Sequence, residues 1–355
     1  MLHVWARATD GQRNDVRAFM LDFKKAFDLI DHTLLMGKLC NYGINPFIIN
    51  WIANFLSDRF QRVKLAHDCQ SEWKTVPAGV PQGTKLGPWL FIVMIDDLQV
   101  PSASGVVKYV DDTTIYEIVN KNLPSIAKTS VNEISTWSAA NKFLIHPKKC
   151  KELRISFSRA PTAREKVKVD GQVIDSVDSV KILGVVLQSD LKWNSHVSEV
   201  ISKAAKRLYF LSQLKKANVD PTELVKFYTA CIRSVLLYAC QVFHYSLPDY
   251  LSNSMEKIQK RALTIIYGYD LPYREALSIS GLETLFQSRE RYCKIFFKKI
   301  IFNESDNLYH FLPFNNIKPN VTLRKKRRFN VPVCKTNRYK NSFLIASSMK
   351  YDSDN

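Results

Sequence analysis

The sequence predicts an α+β protein: a mixed half of short strands and helices, then an all-helical and strongly basic half. Up to about residue 190, short apolar runs rich in β-branched residues alternate with helical stretches. From about Asn194 the apolar residues Val197, Ile201, Ala204, Leu208 and Leu211 fall at helical spacing. Lys203, Lys206, Arg207, Lys215 and Lys216 take the intervening positions. The charge is one-sided, with 51 Lys and Arg against 33 Asp and Glu, a net +18 over 355 residues. Such an excess excludes an acidic disordered chain and points to a polyanionic partner.

Each element has a local reason. Val16 to Phe23 is a short apolar strand with Asp22 near its end. Asp28 is placed to cap a helix through Leu34, Leu35 and Leu39. Pro46 to Leu56 reads as a further helix, and Gln61 to Ala66 and Trp73 to Val76 as strands. A Gly/Pro loop, Ala78 to Pro88, opens an apolar helix that runs to about Leu98. Gly105 to Val110 and Thr113 to Val119 read as a hairpin joined by Asp111 and Asp112. A helix from Pro124 to Ala140 follows, then strands near Leu153 to Phe157, Lys166 to Val169 and Val180 to Leu187. Helices are expected at Pro221 to Tyr238, Leu251 to Tyr267 and Glu283 to Phe302. The tail from Asn307 to Lys350 carries no acidic residue and holds a basic run from Arg324 to Lys340.

Seven cysteines without a CxxC pair disfavour both a disulfide framework and a zinc finger. Reduced thiols, and no long apolar stretch at the N-terminus, suit the nucleus or cytoplasm rather than secretion. The best apolar stretch, Leu224 to Tyr245, is broken by Lys226 and Arg233, so no membrane span is expected.

The carboxylates carry the chemistry. Asp111 and Asp112 cap a turn in the ordinary reading, since turn aspartates bond local N–H groups. Here an apolar strand delivers two adjacent acids to its exposed end, where they repel unless a cation lies between them. Hard oxygen ligands suit Mg²⁺ or Mn²⁺. Asp22, ending another strand, is placed to complete a two-metal site for in-line attack at phosphorus. Asp96-Asp97 reads as a surface pair. Asp28 and Asp31 read as helix-start acids. The glycines of Gly79 to Gly87 let a phosphate or a flat base pair approach the backbone; the alternative is a plain turn with Pro88 at the first helical position.

Three ordered segments resemble the motifs of reverse transcriptases. Leu21-Asp22-Phe23-Lys24-Lys25-Ala26-Phe27-Asp28 resembles motif A. Gly79-Val80-Pro81-Gln82-Gly83-Thr84 with Leu86-Gly87-Pro88 resembles motif B, and Tyr109-Val110-Asp111-Asp112 resembles motif C. Their wording is most similar to polymerases of non-LTR, jockey-type retrotransposons. Downstream, Trp137-Ser138 through Lys151 resembles motif D, and Lys181 to Val185 resembles the motif E hairpin. Lys203 to Lys216, Ile232-Arg233 with Tyr238-Ala239-Cys240, and Ile258 to Ala262 resemble the thumb.

The resemblance implies a fold, a set of roles and a set of ligands. The fold is a polymerase palm, a ferredoxin-like sheet with helices on one face, followed by a helical thumb. The expected division is palm at 1–190, thumb at 191–305 and a basic, partly disordered tail at 306–355. Asp22, Asp111 and Asp112 would hold two Mg²⁺ ions, Mn²⁺ being the alternative, with the Phe23 carbonyl as a further ligand. Phe27 would lie beneath the sugar and favour dNTP, while Gln82 and Gly83 would contact nucleotide and template. Lys149 would protonate pyrophosphate, or is one solvated lysine among four. Lys203, Lys206, Arg207, Lys215 and Lys216 would meet the backbone of an RNA template paired with a DNA primer. The short stretch before Asp22 lacks the family's fingers and endonuclease, so the chain is expected to be N-terminally truncated and impaired. Competing readings are a catalytically inactive, retrotransposon-derived nucleic-acid-binding remnant and a nucleotidyl cyclase. The glycine loop and basic helices disfavour the cyclase. The resemblance leaves open whether a protein partner supplies the fingers.

Overall fold

Strand β1 (Asn14–Leu21) pairs on both edges and is buried along most of its length. The computed structural model describes residues 1–11, 14–66, 69–120, 122–158, 165–314 and 328–354. The chain divides into two units, Arg13–Asp178 and Met1–Gln12 with Ser179–Asn355. These bounds differ from the three segments expected, because helix α1 (Leu2–Ala8) belongs with the C-terminal unit. Asp10 Oδ1 and Oδ2 accept from the backbone N–H groups of Thr336 and Lys335 at 2.8 and 2.9 Å. Arg338 donates to the Thr9 carbonyl at 3.1 Å. Contacts between residues more than 300 positions apart leave no trace in local patterning.

The Arg13–Asp178 unit is α+β. Its five-stranded sheet adds β2 (Gly105–Tyr109), β3 (Asp112–Asn120), β4 (Lys151–Ile155) and β5 (Asp175–Val177), in the order β5-β4-β1-β3-β2. β1 runs antiparallel to both neighbours, with Leu21 opposite Thr113 on β3 and Val16 opposite Ile155 on β4. β5 runs parallel to β4. Helices α2 (His32–Asn41), α3 (Pro46–Leu56), α4 (Leu86–Ile95) and α5 (Ala127–Ala140) complete the unit. One apolar core joins Phe19 and Leu21 of β1, Ile115 of β3, Leu35 of α2, Phe91 of α4 and Ile134 of α5. A charge is also buried in the sheet. Arg17 donates to Glu152 Oε1 at 2.7 Å and to Ser125 Oγ at 2.7 Å, and Ser125 donates to Glu117 at 2.6 Å.

Two sequence expectations are corrected here. The cap of α2 is Asp31, whose Oδ1 accepts from Leu34 N at 2.9 Å, and Asp28 is free for another contact. The β2–β3 turn is Val110-Asp111, since Tyr109 already faces Asp112 across the ladder. The ladder register makes Asp112 the first residue of β3, which is buried almost continuously beyond it.

The second unit is mainly helical. A hairpin of β6 (Ser179–Ile182) and β7 (Val185–Gln188) turns through Leu183 and Gly184, both at positive φ, as a tight two-residue connection requires. The Tyr238 hydroxyl donates to the Leu183 carbonyl at 2.8 Å and braces this turn. The long α6 (Asn194–Lys216) is followed by α7 (Pro221–Phe227), a π-helical turn (Tyr228–Arg233) and α8 (Ser234–Leu237). Then come α9 (Cys240–Phe243), α10 (Asp249–Tyr267), α11 (Tyr273–Ser280) and α12 (Leu285–Ile301), the last opened by a Thr284/Gln287 capping box. The π turn brings Tyr228 and Arg233 onto one buried glutamine: both donate to Gln259 Oε1, at 2.8 and 3.2 Å. The described part of the tail adds α13 (Asn337–Lys340) and α14 (Phe343–Asp354). Of the basic run, Arg324 to Arg327 lie outside the described residues. Arg328 stands over the rings of Phe302 and Phe314 at 5.8 and 5.9 Å.

Candidate active site

The site is built where β1 and β3 leave their ladder. Leu21 pairs with Thr113, so the next residue on one strand and the preceding residue on the other, Asp22 and Asp112, emerge at the same edge of the sheet. The turn before Asp112 is strained. Val110 holds φ of +55°, a region costly for a β-branched side chain, and such strain persists where surrounding structure imposes it.

Beyond Leu21 the chain is held by a second contact. Lys24 N donates to the Leu144 carbonyl at 2.7 Å and His146 N donates to the Asp22 carbonyl at 2.8 Å, flanking a Phe23–Ile145 bridge. That bridge leaves the Phe23 carbonyl unused. The turn continues through Lys149 N, which donates to the His146 carbonyl at 2.9 Å. It carries Lys149 Nζ to 3.4 Å from Asp22 Oδ1.

The glycine loop docks on the motif A segment by backbone. Gly79 N donates to the Ile30 carbonyl and Val80 N to the Phe27 carbonyl, both at 2.8 Å. Arg59 clamps the loop from outside, donating to the carbonyls of Ala78 and Gly79 at 3.0 and 2.5 Å. Gln82 Nε2 donates to Asp28 Oδ1 at 3.0 Å. Pro88 is the third residue of α4, not the first, but still within the turn that tolerates proline.

A cleft of about 430 Å³ results, and Asp22, Phe23, Phe27, Gln82, Gly83, Asp111 and Lys149 all line it. Four segments far apart in sequence therefore border one cleft. Phe27 is half-buried and stacks on Phe91 with ring centres 4.5 Å apart. Lys25, Ala26 and Pro88 also line the cleft and were missed. The second lysine of the Lys24-Lys25 pair was the available signal, and only its φ of +46° distinguishes it.

One residue departs from the expectation. Asp112 is exposed and does not line the cleft: it opens β3, whereas Asp111 before it belongs to the turn. It still senses the site: partial burial raises its carboxyl above the ordinary range, helped by the charges of Asp111 and Asp22. Among the described residues no group of three or more His, Cys, Asp or Glu side chains is gathered closely enough to hold a metal. The donor chemistry nonetheless fits a hard divalent cation. Asp22 Oδ1 is buried with no hydrogen bond beyond the Lys149 ion pair, and Asp111 lines the same cleft.

The other carboxylates are committed elsewhere. Asp97 accepts from Lys38 at 2.6 Å and from Trp137 at 3.1 Å, and Asp96 accepts from the Tyr42 hydroxyl. The basic face of α6 is exposed, though partly engaged. Lys203 pairs with Glu199, Arg207 donates to the Cys231 carbonyl, and Lys215 donates to the Ile266 carbonyl at 2.8 Å. Lys206 shares that helix with Tyr209 and Phe210, which are 62% and 58% exposed and which the charge pattern had not singled out.

The sheet brings strand-end carboxylates together beside a glycine loop at a helix start. The chain belongs to the reverse transcriptase family: the family profile described as reverse transcriptase (RNA-dependent DNA polymerase) matches residues 6–187. A second profile, alkylated DNA repair protein alkB homolog 8, N-terminal, matches residues 193–234. Among curated relatives, the RNA-directed DNA polymerase from mobile element jockey of Drosophila funebris is 26% identical over 264 residues, 70% of this chain and 28% of that protein. The probable RNA-directed DNA polymerase from transposon BS of Drosophila melanogaster is 24% identical over 270 residues, 72% of this chain and 29% of that protein. The chain thus spans under a third of the length of these relatives. An apo telomerase from Candida tropicalis aligns at 13% identity and a TM-score of 0.42, covering 87% of this chain and 47% of that one. That likeness is too distant to bear on function. No helix among the described residues is long and apolar enough to cross a membrane.

Proposed function

We propose that the chain carries the catalytic palm and the thumb of a non-LTR retrotransposon RNA-directed DNA polymerase. It would add dNTPs to a DNA primer paired with an RNA template. The observation that supports this is the convergence of Asp22, Asp111, Lys149, Phe27 and the Gln82-Gly83 loop on one cleft. Asp22, Asp111 and Asp112, with the Phe23 carbonyl, would hold two Mg²⁺ ions. Bound there, the ions lower the pKa of the primer hydroxyl and offset charge on the phosphates.

The chain's own residues supply the remainder. Phe27, fixed by its stack on Phe91, presents a ring beneath the sugar and leaves little room for a 2′-hydroxyl. Gln82 and Gly83 border the position of the incoming base pair. Lys149 reaches the cleft as the ammonium best placed to hand a proton to departing pyrophosphate. Lys25 adds a second positive charge on the phosphate side. The exposed face of α6, with Lys206 and Lys216 outermost, would meet the duplex backbone without reading sequence.

Primer extension on poly(rA)/oligo(dT) with dTTP and Mg²⁺ or Mn²⁺ tests the reading. Incorporation by the wild-type chain that disappears in Asp111→Ala is the expected result. Hybrid binding without any incorporation would refute catalysis and favour a non-catalytic nucleic-acid-binding role.

A further inference from the structure

A second, unassigned cleft lies in the C-terminal unit between α12 and α14. It measures about 250 Å³, and Lys294, Lys298, Lys350, Ser347, Tyr245 and Tyr351 border it. Three lysines thus border one small space. Lys294 and Lys298 are one turn apart on α12, with Glu290 one turn before Lys294. Lys350 comes from α14 and stands 4.7 Å from the Tyr245 ring centre. Glu290 accepts from Lys350 at 2.9 and 3.0 Å and is shared with His244 at 2.7 Å, but it does not border the cleft.

Ser347 supplies an independent observation. It is only 3% exposed, and its Oγ has no hydrogen-bond partner. A buried hydroxyl left unpaired is uncommon and calls for an explanation.

We propose that this cleft binds a phosphate ester, with Lys294, Lys298 and Lys350 meeting the phosphoryl oxygens and the Ser347 hydroxyl donating to one of them. Compact ammonium groups suit a multiply charged oxyanion, and three of them exceed what a single carboxylate needs. The volume selects the phosphoryl group itself. It falls below the ~300–1,000 Å³ of sites that enclose a whole small molecule, so the rest of the ligand lies outside, against Tyr245 and Tyr351. The phosphate belongs either to a free nucleotide or to a nucleic-acid strand. The cleft shares no residue with the one around Asp22, and its occupancy does not depend on polymerisation.

Calorimetric titration of the whole chain with dTMP, with thymidine and with a 12-nucleotide oligothymidylate separates these sources. Lys294→Gln combined with Lys298→Gln is expected to weaken the phosphate-bearing probe about tenfold or more, each charged hydrogen bond contributing roughly that factor. A loss seen with dTMP identifies a nucleotide site. A loss confined to the oligonucleotide identifies a strand phosphate. Ser347→Ala should weaken the same probe to a smaller degree, and Lys294→Arg with Lys298→Arg should retain binding. Unchanged affinity for both dTMP and the oligonucleotide in the glutamine variant, with its unfolding transition intact, would overturn the proposal. So would an equal loss in the arginine variant.

Discussion

Gly79→Ala should damage the site more than Gly83→Ala, although both glycines belong to one loop and both hold positive φ, +80° and +81°. The shared cost is backbone strain. An L-residue in the left-handed region loses about 1–2 kcal/mol. The smaller unfolded-state entropy of alanine returns about 0.4–1 kcal/mol at either site. The difference lies in what a Cβ meets. At Gly83 nothing stands within 4 Å. At Gly79 the Cβ would lie 2.5, 2.6 and 2.7 Å from the carbonyl oxygen, carbonyl carbon and Cα of Asp28. These are backbone atoms with no rotamer to change, so the loop must back away. That motion loosens the Gly79–Ile30 and Val80–Phe27 hydrogen bonds and draws Gln82 off Asp28. Overpacking of this kind adds about 1–3 kcal/mol. Gly79→Ala is therefore expected to cost about 2–4 kcal/mol net, against about 1 kcal/mol for Gly83→Ala. Urea unfolding followed by tryptophan fluorescence measures this, because Trp51, Trp73, Trp89 and Trp137 all report on this unit. Primer extension should fall in parallel with Gly79→Ala. Equal midpoints for the two variants, within about 0.5 kcal/mol, would refute the claim that the loop is seated on the Asp28 backbone.

Two further outcomes are expected. Arg17→Met strands Glu152, whose side chain is 4% exposed, beside the more distant Arg154 at 3.6 Å, and should cost about 3–5 kcal/mol in urea unfolding. The Arg17→Met/Glu152→Leu double variant should recover most of that loss, and failure to recover would show that the pair is not the cause. The second outcome concerns pH: burial lowers the pKa of both His196 and His244, against the opposing charges of Glu199 and Glu290. A histidine whose folded pKa is depressed binds its proton more readily when unfolded, so stability is lost as pH falls through the unfolded value of about 6.5. The urea midpoint of the C-terminal unit should therefore drop between pH 7.5 and 5.5, and His196→Asn should flatten the slope. A midpoint independent of pH over that window would contradict the assignment of these rings as buried and neutral.

Much of the palm was legible because its signals are local. The apolar run of β1, the paired runs of β2 and β3, and the proline-opened helix at Pro46–Leu56 each follow from residue type and spacing alone. The Asp22, Gln82-Gly83, Asp111 and Lys149 positions were legible for another reason: their neighbours form motifs whose order is recognisable. Boundaries were less secure. Asp28 and Asp31 are equally good caps on paper; the helix starts at His32, so Asp31 caps it, and Asp28 accepts from Gln82, 54 positions away. The turn slipped by one residue because Tyr109 and Asp112 already pair across the ladder. Arg59, the clamp on the glycine loop, looked like any surface arginine, since its partners are backbone carbonyls about 20 positions downstream.

By itself the sequence determined the class of each half, the identity of the carboxylates and the excess of positive charge. Those depend on side-chain type and near-neighbour spacing, which the one-dimensional chain carries in full. Only the tertiary structure decided that Asp22 and Asp112 leave the sheet at one edge, that Asp111 rather than Asp112 borders the cleft, and that helix α1 is bound to the C-terminal tail. It also showed three lysines from α12 and α14 around one buried serine, a grouping no segment suggests. These outcomes rest on strand register, on backbone hydrogen bonds between distant segments and on which faces are buried. Such quantities exist only once residues far apart in the chain are brought within a few ångströms of one another.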